Sequence, residues 1–106
     1  MFVKNAAAQA LFSAGKMGKS TLASGDFIFA GLNAFEPGQE HAPHAHAGQD
    51  KLYVVLEGSG DVCVGEKSEM LSAGDVAFAP SGVTHSVKNT GAGRLVILAV
   101  LSPPPK

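Results

Sequence analysis

An all-β fold, a barrel or a sandwich, is what this 106-residue sequence predicts, on three observations. Turn signals recur at short intervals: Ser24-Gly25-Asp26, Pro37-Gly38, Gly58-Ser59-Gly60, Gly65, Ala73-Gly74-Asp75, Pro80-Ser81-Gly82 and Gly91-Ala92-Gly93. Between them lie short runs rich in Val, Phe, Ile and Leu. None of these runs is long enough for a strongly amphipathic helix. A chain of this size buries one core and is too short for two, so a single domain over 1–106 is expected, its barrel at about 16–101 and its ends, 1–15 and 102–106, peripheral.

Taken in order, the Ala-rich stretch from Ala6 to Phe12 fits a helical turn or two. With one Lys and a short, weakly apolar block it makes a poor secretory leader and is expected to stay in the mature fold. Gly18-Lys19-Ser20 invites a phosphate-loop reading, but that loop needs a glycine where Ser13 stands, an apolar strand before it and a helix after it. Thr21 to Asp26 reads instead as strand into turn. Strands are expected at Phe27–Phe35, Leu52–Glu57, Asp61–Gly65 as a hairpin partner, Val76–Ala79, Val83–Lys88 and Leu95–Leu101. The last, LVILAVL, is apolar on both faces, so it is either buried between layers or presented to a second subunit, and a homodimer is expected. Pro103-Pro104-Pro105 then stops the ladder and extends as a short tail.

Composition excludes several partner classes. A formal charge of −1, a pI near 6.4 and only eight Lys and Arg, spread along the chain, leave no basic footprint for nucleic acid or an anionic membrane surface. No apolar run reaches the ~18 residues of a membrane span. Cys63 is alone, which rules out an internal disulfide and fits a reducing cytoplasm, the expected location. Within Asp61-Val62-Cys63-Val64 it reads as a small strand residue.

Chemistry concentrates in the histidines. His41, His44 and His46 fall within Gly38 to Gly58, and the fourth is His85. On an extended strand the two imidazoles of His44-Ala45-His46 point the same way, which makes half a metal site. Downstream, Pro80 and Gly82 build a tight turn that delivers His85 onto a new strand.

Together the two stretches resemble the cupin family. The second cupin motif matches at Gly74, Pro80, Gly82, His85 and Asn89; the first matches at Gly38, His44, His46 and Gly58. Where the family places its glutamate, this chain has Lys51. The resemblance implies a double-stranded β-helix, or small jelly roll, whose interior holds a divalent metal on His44, His46 and His85. His41, outside the H-x-H pair, reads as solvated or as a neighbour of the ligands.

The fourth ligand is where two arguments diverge. A protonated Lys51 cannot coordinate, whereas Gln49 and Asp50 offer oxygen. Strand alternation puts Asp50 with Leu52, Val54 and Leu56, the wholly apolar and therefore favoured interior face. Motif alignment instead turns position 51 inward, and a one-residue irregularity between His46 and Leu52 would reconcile the two. Asp50 is accordingly the expected fourth ligand, with Gln49 or water as the alternative. Such a nitrogen-rich site suits Fe, Mn, Ni, Co, Cu or Zn. Tyr53, Phe78 and Phe29 are candidates to line a pocket, each also readable as plain core, while Glu36 and Asp75 flank turns and read as solvated. The resemblance implies action on an oxygenated small molecule, as a dioxygenase or an isomerase or lyase, with His41, Lys51 or Glu57 moving a proton; the alternative is a non-catalytic barrel that binds a small molecule or metal.

Overall fold

The computed structural model describes residues 1–105; Lys106, the end of the Pro-rich tail, lies outside the described residues. Among them are nine strands: β1 (Gly18–Ser24), β2 (Phe29–Phe35), β3 (Glu40–His44), β4 (Asp50–Glu57), β5 (Ser59–Val64), β6 (Lys67–Ser72), β7 (Val76–Ala79), β8 (His85–Lys88) and β9 (Leu95–Ser102). They form two antiparallel sheets packed face to face, a five-stranded one in the order β1-β2-β9-β4-β7 and a four-stranded one in the order β3-β8-β5-β6. This is a double-stranded β-helix. The expected helical turn is a single 3-10 turn, Ala6–Gln9, packed against β4.

The LVILAVL strand lies between β2 and β4, hydrogen-bonded on both edges. Its residues Leu95, Ile97 and Ala99 join Phe35, Tyr53, Val55, Val62 and Val87 in the core between the sheets. Each large side chain fully buried there contributes about 1.5–3 kcal/mol. Its other face, with Val96 buried and Leu98 and Val100 half-buried, belongs to the outer surface of the five-stranded sheet. The tail does stop the ladder: β9 ends at Ser102, immediately before the prolines.

One expectation is corrected here. The interior face of β4 is Lys51, Tyr53 and Val55, all buried, whereas Asp50 is exposed and Leu52, Val54 and Leu56 are half-buried on the outer side. The apolar face misled because the outer surface of this sheet is apolar as well, so hydrophobicity does not distinguish the two sides. A turn at Ala47-Gly48 separates His46 from β4, and within β4 no irregularity turns Asp50 inward: Asp50 to Val55 pair with Ser102 to Ile97 in unbroken register.

The turn glycines of both motifs have a backbone reason. Gly58 has φ +78°, and a Cβ there would collide with the Arg94 carbonyl oxygen; Gly82 has φ +81° at the corner that leads into β8. Only glycine enters this left-handed region without steric cost. The Asn that closes the second motif is fully buried: Asn89 donates to the Phe35 and Gly93 carbonyls at 3.0 and 2.9 Å and accepts from the Gly91 N–H at 3.0 Å. It is a structural fastener between β2 and the chain leading to β9.

Candidate metal centre

His44 at the end of β3 and His85 at the start of β8 are direct cross-strand partners. Their rings stand 4.2 Å apart between centroids. His46 lies just past β3, in a loop tied to the Pro80-Ser81-Gly82 turn by three hydrogen bonds. The Gly82 N–H donates to the His46 carbonyl at 3.0 Å, the Gly48 N–H to Ser81 Oγ at 2.7 Å, and the Ser81 N–H to Asp50 Oδ1 at 2.9 Å. The turn that delivers His85 thus also holds the loop that carries His46.

The result is three imidazoles whose ligand atoms lie within 4.8 Å of one another. Two of the rings are oriented by carbonyls: His44 Nδ1 is 2.7 Å from the Ala42 oxygen and His85 Nδ1 2.9 Å from the Val83 oxygen. A carbonyl only accepts, so each Nδ1 carries the proton and each Nε2 keeps its lone pair. His85 is 2% exposed, and its Nε2 is buried with no partner in the protein. An unpaired buried acceptor is costly unless something arrives to meet it. Burial holds all three imidazoles below their ordinary pKa, His44 at about 4, and neighbouring cations add to the effect. Neutral rings with their ligand atoms gathered this closely are the form in which histidine binds a metal, so the donor set fits one.

The structure does not bring the other oxygen donors to this point. The Asp50 carboxylate accepts from the Ser81 N–H instead, and Gln49 donates from Nε2 to the Pro103 carbonyl at 3.0 Å. Lys51 is the residue that faces the imidazoles: it is 4% exposed, its Nζ 3.5 Å from His44 Nε2 and 4.9 Å from the centre of the Tyr53 ring. Burial, with Lys19 as a second cause, holds its pKa down to about 8. Glu57 sits exposed at the far end of β4. Phe78 faces outward, Tyr53 is core with its ring 5.9 Å from that of His85, and Phe29 lines a cavity.

His41 is a neighbour of the grouped imidazoles, one of the two readings its place outside the H-x-H pair allowed. His41 and His44 are three apart, which on a regular strand puts them on opposite faces, yet their rings lie 4.0 Å apart. The register of β3 against β8 shifts between them, and Pro43, which has no N–H for the ladder, sits in that interval. Pro43 was the available signal. Burial and the adjacent His44 lower the His41 pKa to about 3, and its Nε2 is 3.3 Å from Nζ of Lys19, a residue the sequence did not point to. Lys19, His41, His46 and Lys51 all border a cavity of about 430 Å³, which His46 alone of the three grouped imidazoles lines.

A cupin-domain family model matches residues 31–101. The crystal structure of a protein from Thermus thermophilus superposes with a TM-score of 0.93 at 37% identity, covering 99% of this chain and 100% of that one. An oxalate-binding protein of Thermotoga maritima is 40% identical over 65 residues, 61% of this chain. This chain spans 54% of that relative's length and 50% of that of a further relative from Aquifex aeolicus. The crystal structure of a predicted oxalate decarboxylase, also from Thermotoga maritima, superposes with a TM-score of 0.77 at 31% identity, covering 81% of this chain and 79% of that one.

Proposed function

The chain belongs to the cupin family, and from that membership we propose that it holds one divalent transition metal on His44, His46 and His85 and acts there on an oxygenated small molecule. The observation that carries this is the donor set: two rings pinned through Nδ1, and a buried His85 Nε2 with no protein partner. Fe, Mn, Ni, Co, Cu and Zn all suit imidazole ligands. Such an ion, when bound, supplies Lewis-acid polarisation of a substrate oxygen. The protein's own contribution is to orient the rings, to keep them unprotonated by burial, and to offer a cavity walled by the two sheets. The oxalate-binding relative supports a small, oxygen-bearing ligand.

Turnover of that ligand, as by a dioxygenase or an isomerase or lyase, is a second reading. It is favoured by the Lys51 amine, buried beside His44 with a pKa of about 8, where an ammonium can give up a proton near neutral pH. The assembly we propose is a homodimer formed through the outer face of the five-stranded sheet, where Val76 and Phe78 are 54% and 53% exposed. The free thiol of Cys63 supports a reducing compartment, the cytoplasm.

Elemental analysis of protein purified without chelator or a nickel column tests the metal. One ion per chain in the wild type, lost in the His44→Ala/His46→Ala double variant, is the expected result; equally little metal in both would overturn it. Oxygen uptake, and deuterium exchange into a panel of small hydroxy and oxo acids, separate turnover from binding.

A further inference from the structure

The inward face of the five-stranded sheet is built in rows. Lys51 is level with Leu101 and Phe29; the next row holds Tyr53, Ala99, Gly31 and Thr21; the next holds Val55, Ile97, Asn33 and Lys19. The centre of the middle row, Ala99 and Gly31, is small and lines the cavity: a Cβ on Gly31 would come within 2.9 Å of the Phe29 ring, which lies over it. Two cations therefore enter the cavity from diagonal corners of one sheet, with an aromatic and aliphatic surface between them.

Their heads converge on the histidines. Lys19 Nζ is 3.3 Å from His41 Nε2, and Lys51 Nζ is 3.5 Å from His44 Nε2. Among the described residues that line the cavity none is acidic, so neither ammonium is neutralised there. Two like charges brought together in a partly buried space repel unless an anion joins them. Asn33, 5% exposed, adds an amide on the same wall.

We propose that this cavity takes a small organic carboxylate, its head between Lys51 and Lys19 and an apolar body against Phe29 and Leu101. The inference rests on reading the cavity beside the imidazoles as the functional site, and it deepens that reading by assigning the ligand's charge and shape. The volume of about 430 Å³ leaves room for a body well beyond two carbons. Lys19, on β1, becomes a specificity residue that no cupin motif position covers.

Isothermal titration at pH 7 and low salt tests this, using phenylacetate, acetate and phenylacetamide as probes against wild type and Lys19→Gln, each with metal content measured alongside and repeated after metal removal. Lys19 is exposed, so its variant keeps the fold, which circular dichroism verifies. Phenylacetate is expected to bind at least about tenfold tighter than either acetate or the amide, and Lys19→Gln to weaken it about five- to tenfold with metal per chain unchanged. Equal binding of acid and amide, equal binding by wild type and Lys19→Gln, or no binding of phenylacetate overturns the proposal. A wild type that carries no metal yet selects the acid in a Lys19-dependent way supports it and sinks the metal centre alone.

Discussion

The Nζ of Lys51 lies 3.5 Å from the Nε2 of His44, at the one motif position where the chain departs from the cupin pattern. The departure replaces a negative donor by a cation at a point where three imidazole lone pairs gather. An ammonium there and the proposed metal ion would compete for that space, each disfavouring the other by like charge.

Lys51→Glu is therefore expected to tighten metal binding by about ten- to a hundredfold, since it supplies an anionic oxygen where the ammonium stood. Lys51→Met, which removes charge without adding a donor, should give a smaller gain. Competition with a chromophoric chelator reads both. Unchanged affinity in Lys51→Glu would show that position 51 does not reach the ion.

The metal-free protein is expected to lose stability as pH falls below about 6.5. An unfolded histidine takes a proton near 6.5, whereas folded His44 and His41 hold theirs off to about 4 and about 3. Between those values the unfolded chain binds more protons, so stability rises with pH. The neutral rings' contribution is complete above 6.5 and lost as pH drops toward 4. Urea midpoints at pH 7, 5.5 and 4.5 check the slope, and a His41→Gln/His44→Gln variant should flatten it.

Asn89→Ala is expected to destabilise the fold by about 1–3 kcal/mol, because it leaves the buried Phe35 carbonyl, the part-buried Gly93 carbonyl and the Gly91 N–H without their partner. Thermal unfolding measures it. A loss below about 0.5 kcal/mol would mean water replaces the amide.

For the proposed dimer, Phe78→Lys on the outer sheet face is expected to give a monomer by light scattering after size exclusion. A wild type that is itself monomeric at tens of micromolar would sink that assembly.

Most strand positions were legible because their turns contain glycine, proline or aspartate in fixed places and their cores are β-branched; Val76–Ala79 has the same limits in sequence and structure. β6, KSEMLS, escaped because it is an edge strand, exposed at every residue but Leu71, and so has no apolar alternation to read. The grouping of His44, His46 and His85 followed from motif spacing. What spacing did not reveal was orientation. Both faces of β4 are apolar apart from their ends, so pattern favoured the wrong side, and the shift at Pro43 that brings His41 to His44 is invisible to strict alternation. Lys19 stayed hidden for another reason: its relation to the site depends on a side-chain contact from β1 in one sheet to His41 on β3 in the other.

The three hydrogen bonds that bind the His46 loop to the Ser81 turn have a thermodynamic meaning for ion uptake. Two distant segments are already fixed against each other before any ligand arrives, so the ordering entropy of assembling the ligand set belongs to folding and does not recur on binding. Ser81, through two of those bonds, would then bear on how tightly a metal is held, and its removal would leave the same donors present but no longer fixed in place.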